Sequence, residues 1–271
     1  MKTDRDHTRD RLVYSLDMAK RVSKTTLVYY QDPHLKVETK LDKSVVTAAD
    51  RQVESELRAM IEKAFPDDAI IGEESESRRG TSGFEWILDP IDGTQSFVCG
   101  VPFFGTLIGV AYLGQPLLGV VDMPALGETY YGATGEGAWW KPSATADPVR
   151  MAASRAVSLK ESLFCTTSHS GFARIGRLDL FDRLLRGTKK FRGWGHCYGH
   201  MLVASGRADL VVEPDVKIWD LAALTPIIRE SGAKIFDLKG NERIDTGSAI
   251  TCAAGLEEPL REFLGIKERS S

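Results

Sequence analysis

From Gly93 to Val121 the chain runs for 29 residues without a charged side chain. A stretch that long leaves water either as a membrane span or as the interior of a folded domain. Pro102 and Pro116, with glycines at 93, 100, 105, 109, 114 and 119, break any helix it could form. Proline removes a helical hydrogen bond, and an interior glycine costs about 1 kcal/mol against alanine. The segment therefore reads as buried strands, Thr106 to Leu113 and Leu117 to Val121, reversing at Gly114-Gln115-Pro116. No membrane partner is expected.

Around this run the pattern alternates. Leu12, Leu16 and Ala19, with Val13 alongside, recur at helical spacing and open the chain with an amphipathic helix. Lys40 to Val46 reads as a loop entering a strand end. Thr47 and Asp50 form a capping-box-like start to a second helix, with Val53, Leu57, Met60 and Ile61 as its buried stripe and Phe65-Pro66 as its stop. Ala69 to Gly72 and Glu85 to Leu88 read as strands, the second delivering Asp89 at its end. Thr129 to Gly132 and Ala138 to Lys141 continue the sheet.

Lys141 to Pro148, rich in Pro, Ser, Ala and Thr, marks a joint. It divides an N-terminal α+β domain, residues 1–145, from a C-terminal α/β domain, residues 146–271. The second half is expected to hold helices near Leu178 to Leu185 and His196 to Ser205, then a strand at Asp209 to Glu213. A helix starts near Asp220 with Leu221, Leu224 and Ile228 on one face, and Pro226 should kink or delay it. Strands at Ala233 to Asp237 and Ala249 to Cys252 and a helix at Leu256 to Phe263 close the chain. Strands alternating with helices predict a layered α/β or α+β enzyme.

Composition excludes several classes. An apolar fraction of 42% with 27% charged residues is globular, not disordered. With 35 Lys and Arg against 38 Asp and Glu, the net charge of −3 argues against a general nucleic-acid binder. Cys99, Cys165, Cys197 and Cys252 form no closely spaced pair, and Met1 to Asp10 is charged without a signal-peptide pattern. Reduced thiols in the cytoplasm are expected.

The chemistry concentrates in Trp86-Ile87-Leu88-Asp89-Pro90-Ile91-Asp92-Gly93-Thr94. Two carboxylates stand three apart across a turn set by Pro90, both aimed beyond a strand end. Anions at one spot repel unless a cation separates them. Oxygen-only ligands suit a hard ion, Mg²⁺ above all because it keeps waters and shares phosphate oxygens. With no His or Cys near, zinc is not expected. Gly93 and a helix start at Thr94 leave backbone N–H groups free for an anion such as phosphate.

Gly72-Glu73-Glu74-Ser75, Asp89 through Thr94, and Trp219-Asp220 with Ala222-Ala223 resemble the inositol monophosphatase family. The likeness covers nearly the whole chain, beginning at Val46-Thr47-Ala48-Ala49-Asp50. It implies a layered αβαβα sandwich of the sugar-phosphatase type, a homodimer, two or three Mg²⁺ ions per site, and hydrolysis of a small phosphate monoester. Carried over by motif, Glu73, Asp89 and the Ile91 carbonyl would hold one metal, and Asp89, Asp92 and Asp220 a second. A further ion would sit near Glu73. Thr94 and Asp50 would position the attacking water with Glu73, and the N–H groups of Gly93 and Thr94 would hold the phosphate.

Phe104-Gly105-Thr106-Leu107-Ile108, Gly119 through Pro124 with Glu128, Gly195-His196-Cys197-Tyr198-Gly199 and Ala208 through Glu213 are most similar to the histidinol-phosphatase branch. That implies Glu213, Gly195 and His196 as substrate contacts, with histidinol phosphate, a cationic ester, as substrate; Arg192 is a separate candidate for holding an anionic substrate. His196 stands where the branch carries an acid. A protonated His196 would repel that cation, so the ring is expected to stay neutral or to point away. The same-class alternative is an inositol-1-phosphate or broad sugar-phosphate phosphatase. The alternative from another class is an interaction protein of the transcription machinery.

Overall fold

The computed structural model describes residues 4–40 and 45–266. Helix α1 (Asp4–Tyr29) is followed by a short antiparallel pair, β1 (Val37–Thr39) and β2 (Val45–Thr47), and by α2 (Ala48–Ala64). Part of the loop expected at Lys40 to Val46 lies outside the described residues. Thr47 caps α2: its side chain accepts the Ala49 N–H, and its own N–H donates to Asp50, closing the expected capping box.

Seven strands follow in one sheet, ordered as in the chain: β3 (Ala69–Gly72), β4 (Phe84–Asp92), β5 (Gly105–Tyr112), β6 (Gln115–Met123), β7 (Glu128–Ala133), β8 (Gly137–Lys141) and β9 (Val149–Arg150). The β3–β4 pair is parallel and the others antiparallel. A five-residue helix, α3 (Thr94–Val98), leaves the end of β4.

The uncharged run supplies α3, β5 and most of β6. Its reversal falls earlier than Gly114-Gln115-Pro116. Leu113 (φ 49°) and Gly114 (φ 78°) form the two-residue turn, and Tyr112 pairs with Gln115. Two left-handed residues match the right-handed twist of a hairpin, which the sequence pattern at Pro116 obscures. Pro116 lies within β6 opposite Ala111, at a register shift that accommodates its missing N–H. Likewise β4 does not end before Asp89. It runs through Pro90 to Asp92, with a register shift between Asp89 and Asp92 in place of the expected turn.

The second sheet has the order β11-β10-β12-β14-β13, built from β10 (Leu163–Cys165), β11 (Lys190–Arg192), β12 (Leu210–Glu213), β13 (Lys234–Phe236) and β14 (Ala249–Cys252). Its helices are α4 (His169–Arg174), α5 (Leu178–Gly187), α6 (His196–Ala204), α7 (Ile218–Ala222), α8 (Leu224–Glu230) and α9 (Glu257–Leu264). Pro226 has no N–H for the Ala222 carbonyl, and the expected single helix is split into α7 and α8 around Ala223. The joint expected between residues 145 and 146 falls between β8 and β9. The first sheet thus takes its last strand from beyond it.

Packing stacks the layers as αβαβα. Met18, Val22, Val53, Leu57 and Ile61 of α1 and α2 cover Trp86, Ile108 and Val120 on one face of the large sheet. Leu107, Val121 and Tyr130 on the other face meet Met201, Leu224, Ile227 and Ile228, which also reach Val211 of the small sheet. Phe172, Leu180, Leu184 and Leu260 close the outer side against Phe164, Leu210 and Phe236. Two glycines of the uncharged run let α7 sit directly on the strands. A Cβ at Gly109 would lie 2.8 Å from the Ala222 carbonyl carbon, and one at Gly119 would lie 1.8 Å from the Ala223 oxygen. That close approach carries Asp220, at the start of α7, to the end of β4. No helix of the described residues is long and apolar enough to cross a membrane.

Candidate active site

Asp89 and Asp92 flank the irregularity of β4, and α7 adds Asp220 from the other half of the chain. One carboxylate oxygen from each of the three lies within 4.8 Å of the others. Asp89 is 1% exposed, and its Oδ1 has no hydrogen-bond partner. Burial, reinforced by the charges of Glu73, Asp92, Asp220 and Asp50, pushes the Asp89 carboxyl well above the usual range. Asp220 is pushed up to about 7 by burial and by Asp92, although its Oδ2 accepts the Lys217 N–H at 2.6 Å. Asp92 moves the other way. Burial acts against it, but the neighbouring His196 ring and the Cys197 N–H outweigh burial and hold it below the usual range.

Glu73 follows β3, and its N–H donates to the Leu88 carbonyl at 3.2 Å. Its carboxylate does not join the aspartate triad. Lys40, which the sequence reading did not single out, places its ammonium 2.9 Å from Glu73 and 2.6 Å from Glu74. Burial raises the Glu73 carboxyl despite that contact, and Glu74 is pushed up to about 7 by burial. The expected hydroxyl–carboxylate pair meets: Thr94 Oγ1 lies 3.4 Å from Asp50 Oδ1 and donates to the Ile91 carbonyl at 3.0 Å. Asp50 is buried and accepts both the N–H and the hydroxyl of Thr47, at 2.7 and 2.6 Å. Gly93 (φ 82°) makes the left-handed step into α3, and a Cβ there would lie 2.9 Å from the Phe103 oxygen. The first N–H groups of α3 have no acceptor within the helix.

A cleft of about 170 Å³ opens beside Asp92 and Asp220 and is lined further by Thr167, Arg174, His196, His200, Glu213 and Asp215, among others. Glu213, at the end of β12, is 5% exposed and pushed up to about 7 by burial. Gly195 and His196 stand at the start of α6. His196 has a left-handed backbone, φ 54°. The expectation that its ring stays neutral or points away is corrected here. Nδ1 lies 3.3 Å from Asp92 Oδ1. Burial works against its charge, but Asp92, Glu213 and Asp220 overcome it and lift the ring to about 9.

Arg192 is exposed on β11, bonded to the Phe191 carbonyl at 2.6 Å, and is not among the residues lining the cleft. The arginine at the cleft is Arg174, held by Asp215 at 2.8 Å. Arg174, Thr167 and Lys40 carry no local motif. Arg174 and Thr167 join the site through α4 and the segment leading into it, and Lys40 joins through its contacts to Glu73 and Glu74.

Three clustered carboxylates, two of them buried and one with an unpartnered oxygen, at a strand end facing a helix start, suit a cation and a phosphate together. On this layered fold they define a metal-dependent phosphoric monoester hydrolase. Residues 9–265 match the model of the inositol monophosphatase family, and the chain belongs to that family. It is 39% identical over 242 residues to a histidinol-phosphatase of Chlorobaculum parvum, covering 89% of this chain and 91% of that one. It is 37% identical to a histidinol-phosphatase of Mycobacterium tuberculosis, covering 89% and 92%. Among solved structures, the extragenic suppressor protein suhB of Bartonella henselae superposes with a TM-score of 0.85 at 25% identity, covering 94% of this chain and 98% of that one.

Proposed function

We propose that the protein is an Mg²⁺-dependent phosphomonoesterase that hydrolyses L-histidinol phosphate to histidinol and phosphate. The observation that carries the substrate is the cleft wall. Glu213 is buried there, away from the carboxylates assigned to metal, and the Thr167 N–H and hydroxyl both bond its Oε1. Such a wall favours a leaving group that brings positive charge, as the ammonium and imidazole of histidinol do. The similarity to two histidinol-phosphatases supports the same reading.

The residues fit a hard divalent ion. Asp89 presents a buried oxygen with no partner, and the donor set is all oxygen. In this reading Asp89, Asp92 and Asp220 hold one ion, and Glu73, with Asp89 and the Ile91 carbonyl, holds another. When bound, Mg²⁺ lowers the pKa of a coordinated water and neutralises charge on the phosphate. The chain does the rest by placement. Thr94 Oγ1, fixed between Ile91 and Asp50, orients the attacking water in line with the ester bond. Asp50 keeps that hydroxyl turned because Thr47 holds its other oxygen. The N–H groups of Gly93 and Thr94 bind the phosphate oxygens, and Glu213 meets the leaving group at the far end of the cleft.

One observation favours the neutral polyol phosphates. The His196 ring on Asp92 sets a positive charge into the wall, which lessens its attraction for a cation. A substrate panel decides. Phosphate release is measured from histidinol phosphate, inositol 1-phosphate and fructose 1,6-bisphosphate, with Mg²⁺ and with chelator. The expected result is the highest kcat/KM on histidinol phosphate and no turnover without metal. A preference for inositol 1-phosphate would overturn the assignment.

A further inference from the structure

Thr167 sits between β10 and α4, outside every motif, and it joins three parts of the cleft. Its N–H and its hydroxyl both donate to Glu213 Oε1, each at 2.8 Å. The same hydroxyl oxygen accepts the His196 N–H at 2.8 Å. One hydroxyl proton and a free lone pair satisfy both contacts together. The neighbouring peptide leaves no slack, because a Cβ at Gly195 would lie 2.1 Å from Thr167 Oγ1. Both bonds fall on Oε1, and neither falls on Oε2.

We propose that Thr167 is the positioning residue that sets substrate specificity: by saturating Oε1 of Glu213 and anchoring the left-handed peptide of His196, it presents Oε2 alone to the leaving group. This rests on the reading of Glu213 as the leaving-group carboxylate. A doubly held carboxylate cannot swing to meet different leaving groups, so it discriminates between them. Without the hydroxyl, Oε1 keeps one donor, and the His196 N–H loses its acceptor. Both sides of the cleft then loosen; of the aspartate triad only Asp92, which His196 touches, adjoins the change.

The test is a double-mutant cycle in steady-state kinetics with Mg²⁺ and histidinol phosphate. Thr167→Val removes the hydroxyl at nearly constant volume, and Thr167→Ser keeps it. Thr167→Val should raise KM by about tenfold, the scale for lost hydrogen bonds to a charged group, with kcat falling less than KM rises. Thr167→Ser should stay within about twofold of wild type, and in a Glu213→Ala background Thr167→Val should add less than about twofold. An unchanged KM in Thr167→Val, an equal loss in Thr167→Ser, or full additivity with Glu213→Ala would overturn the proposal. If wild type instead prefers inositol 1-phosphate, the histidinol reading fails. The same cycle on inositol 1-phosphate then decides Thr167, with non-additivity supporting it and additivity overturning it.

Discussion

Two aspartates at opposite ends of the same strand pair are equally hidden and oppositely treated. Asp68, just before β3, and Asp89, near the end of β4, are each 1% exposed. Asp68 is saturated. Arg11 donates to both of its oxygens at 2.9 and 2.8 Å, Ser82 adds a bond at 2.7 Å, and the Trp86 indole adds one at 2.8 Å. The Arg11 guanidinium in turn lies 3.6 Å from the Phe84 ring centroid. Asp89 has an oxygen with no donor and four carboxylates around it. A buried charge is tolerable when its partners are built in, and Asp68 thereby fastens α1 to the sheet. At Asp89 the partners are withheld, so the fold keeps a place for a cation from outside. Burial does not distinguish a structural acid from a functional one; the supply of donors does.

The comparison breaks most visibly in activity. Asp89→Asn should lower kcat/KM by about 10³-fold or more, because it removes the proposed shared ligand of the charge-stabilising site, while the metal-free protein melts no lower than wild type. Asp68→Asn should do the reverse. Leaving Arg11 without its carboxylate costs about 3–5 kcal/mol of stability, read from chemical denaturation, and the specific activity of the folded protein should change little.

Glu213→Gln sharpens the contrast between the two ends of the cleft. It should cost about 2–5 kcal/mol in kcat/KM on histidinol phosphate and less on p-nitrophenyl phosphate, which brings no cation. Equal losses on both esters would make Glu213 structural, like Asp68. Thr94→Ala should lower kcat by about 10–100-fold with KM nearly kept, because the proposed role of its hydroxyl is on the water and not on the ester. Asp50→Asn should give a smaller defect, non-additive with Thr94→Ala.

The smallest effect is on the stability–pH profile of metal-free protein. Asp220 and Glu213 rise to about 7 from 3.8 and 4.5, chiefly by burial. Between about pH 4 and 7 the folded state thus holds protons that the unfolded chain has released, and stability falls as pH rises through that window. The melting temperature in chelator should be lower at pH 7.5 than at pH 5. Added Mg²⁺ should raise it more at the higher pH, where the carboxylates are ionised.

Much of this was legible in the sequence because the signals are local. The uncharged run announced buried strands, and Asp89 and Asp92 announced an acidic cluster at the end of β4. Pro226 announced a broken helix. The errors came where local chemistry was overruled. Pro116 looked like a turn residue, but the hairpin twist selected Leu113-Gly114, and a register shift absorbed the proline. Pro90 looked like a turn, but β4 continues through it. His196 was expected to avoid a charged role, yet its Nδ1 lies 3.3 Å from Asp92 Oδ1, and that carboxylate raises the ring's pKa. Thr167, Lys40 and Arg174 were missed because each is defined by a partner 33 or more residues away.

The central claim is that the fold withholds donors from Asp89 in order to hold a metal. Calorimetric titration of Mg²⁺ into wild type, Asp68→Asn and Asp89→Asn tests it most directly. Wild type and Asp68→Asn should bind Mg²⁺ alike, and Asp89→Asn should lose at least one ion. Unchanged Mg²⁺ binding in Asp89→Asn would contradict the account.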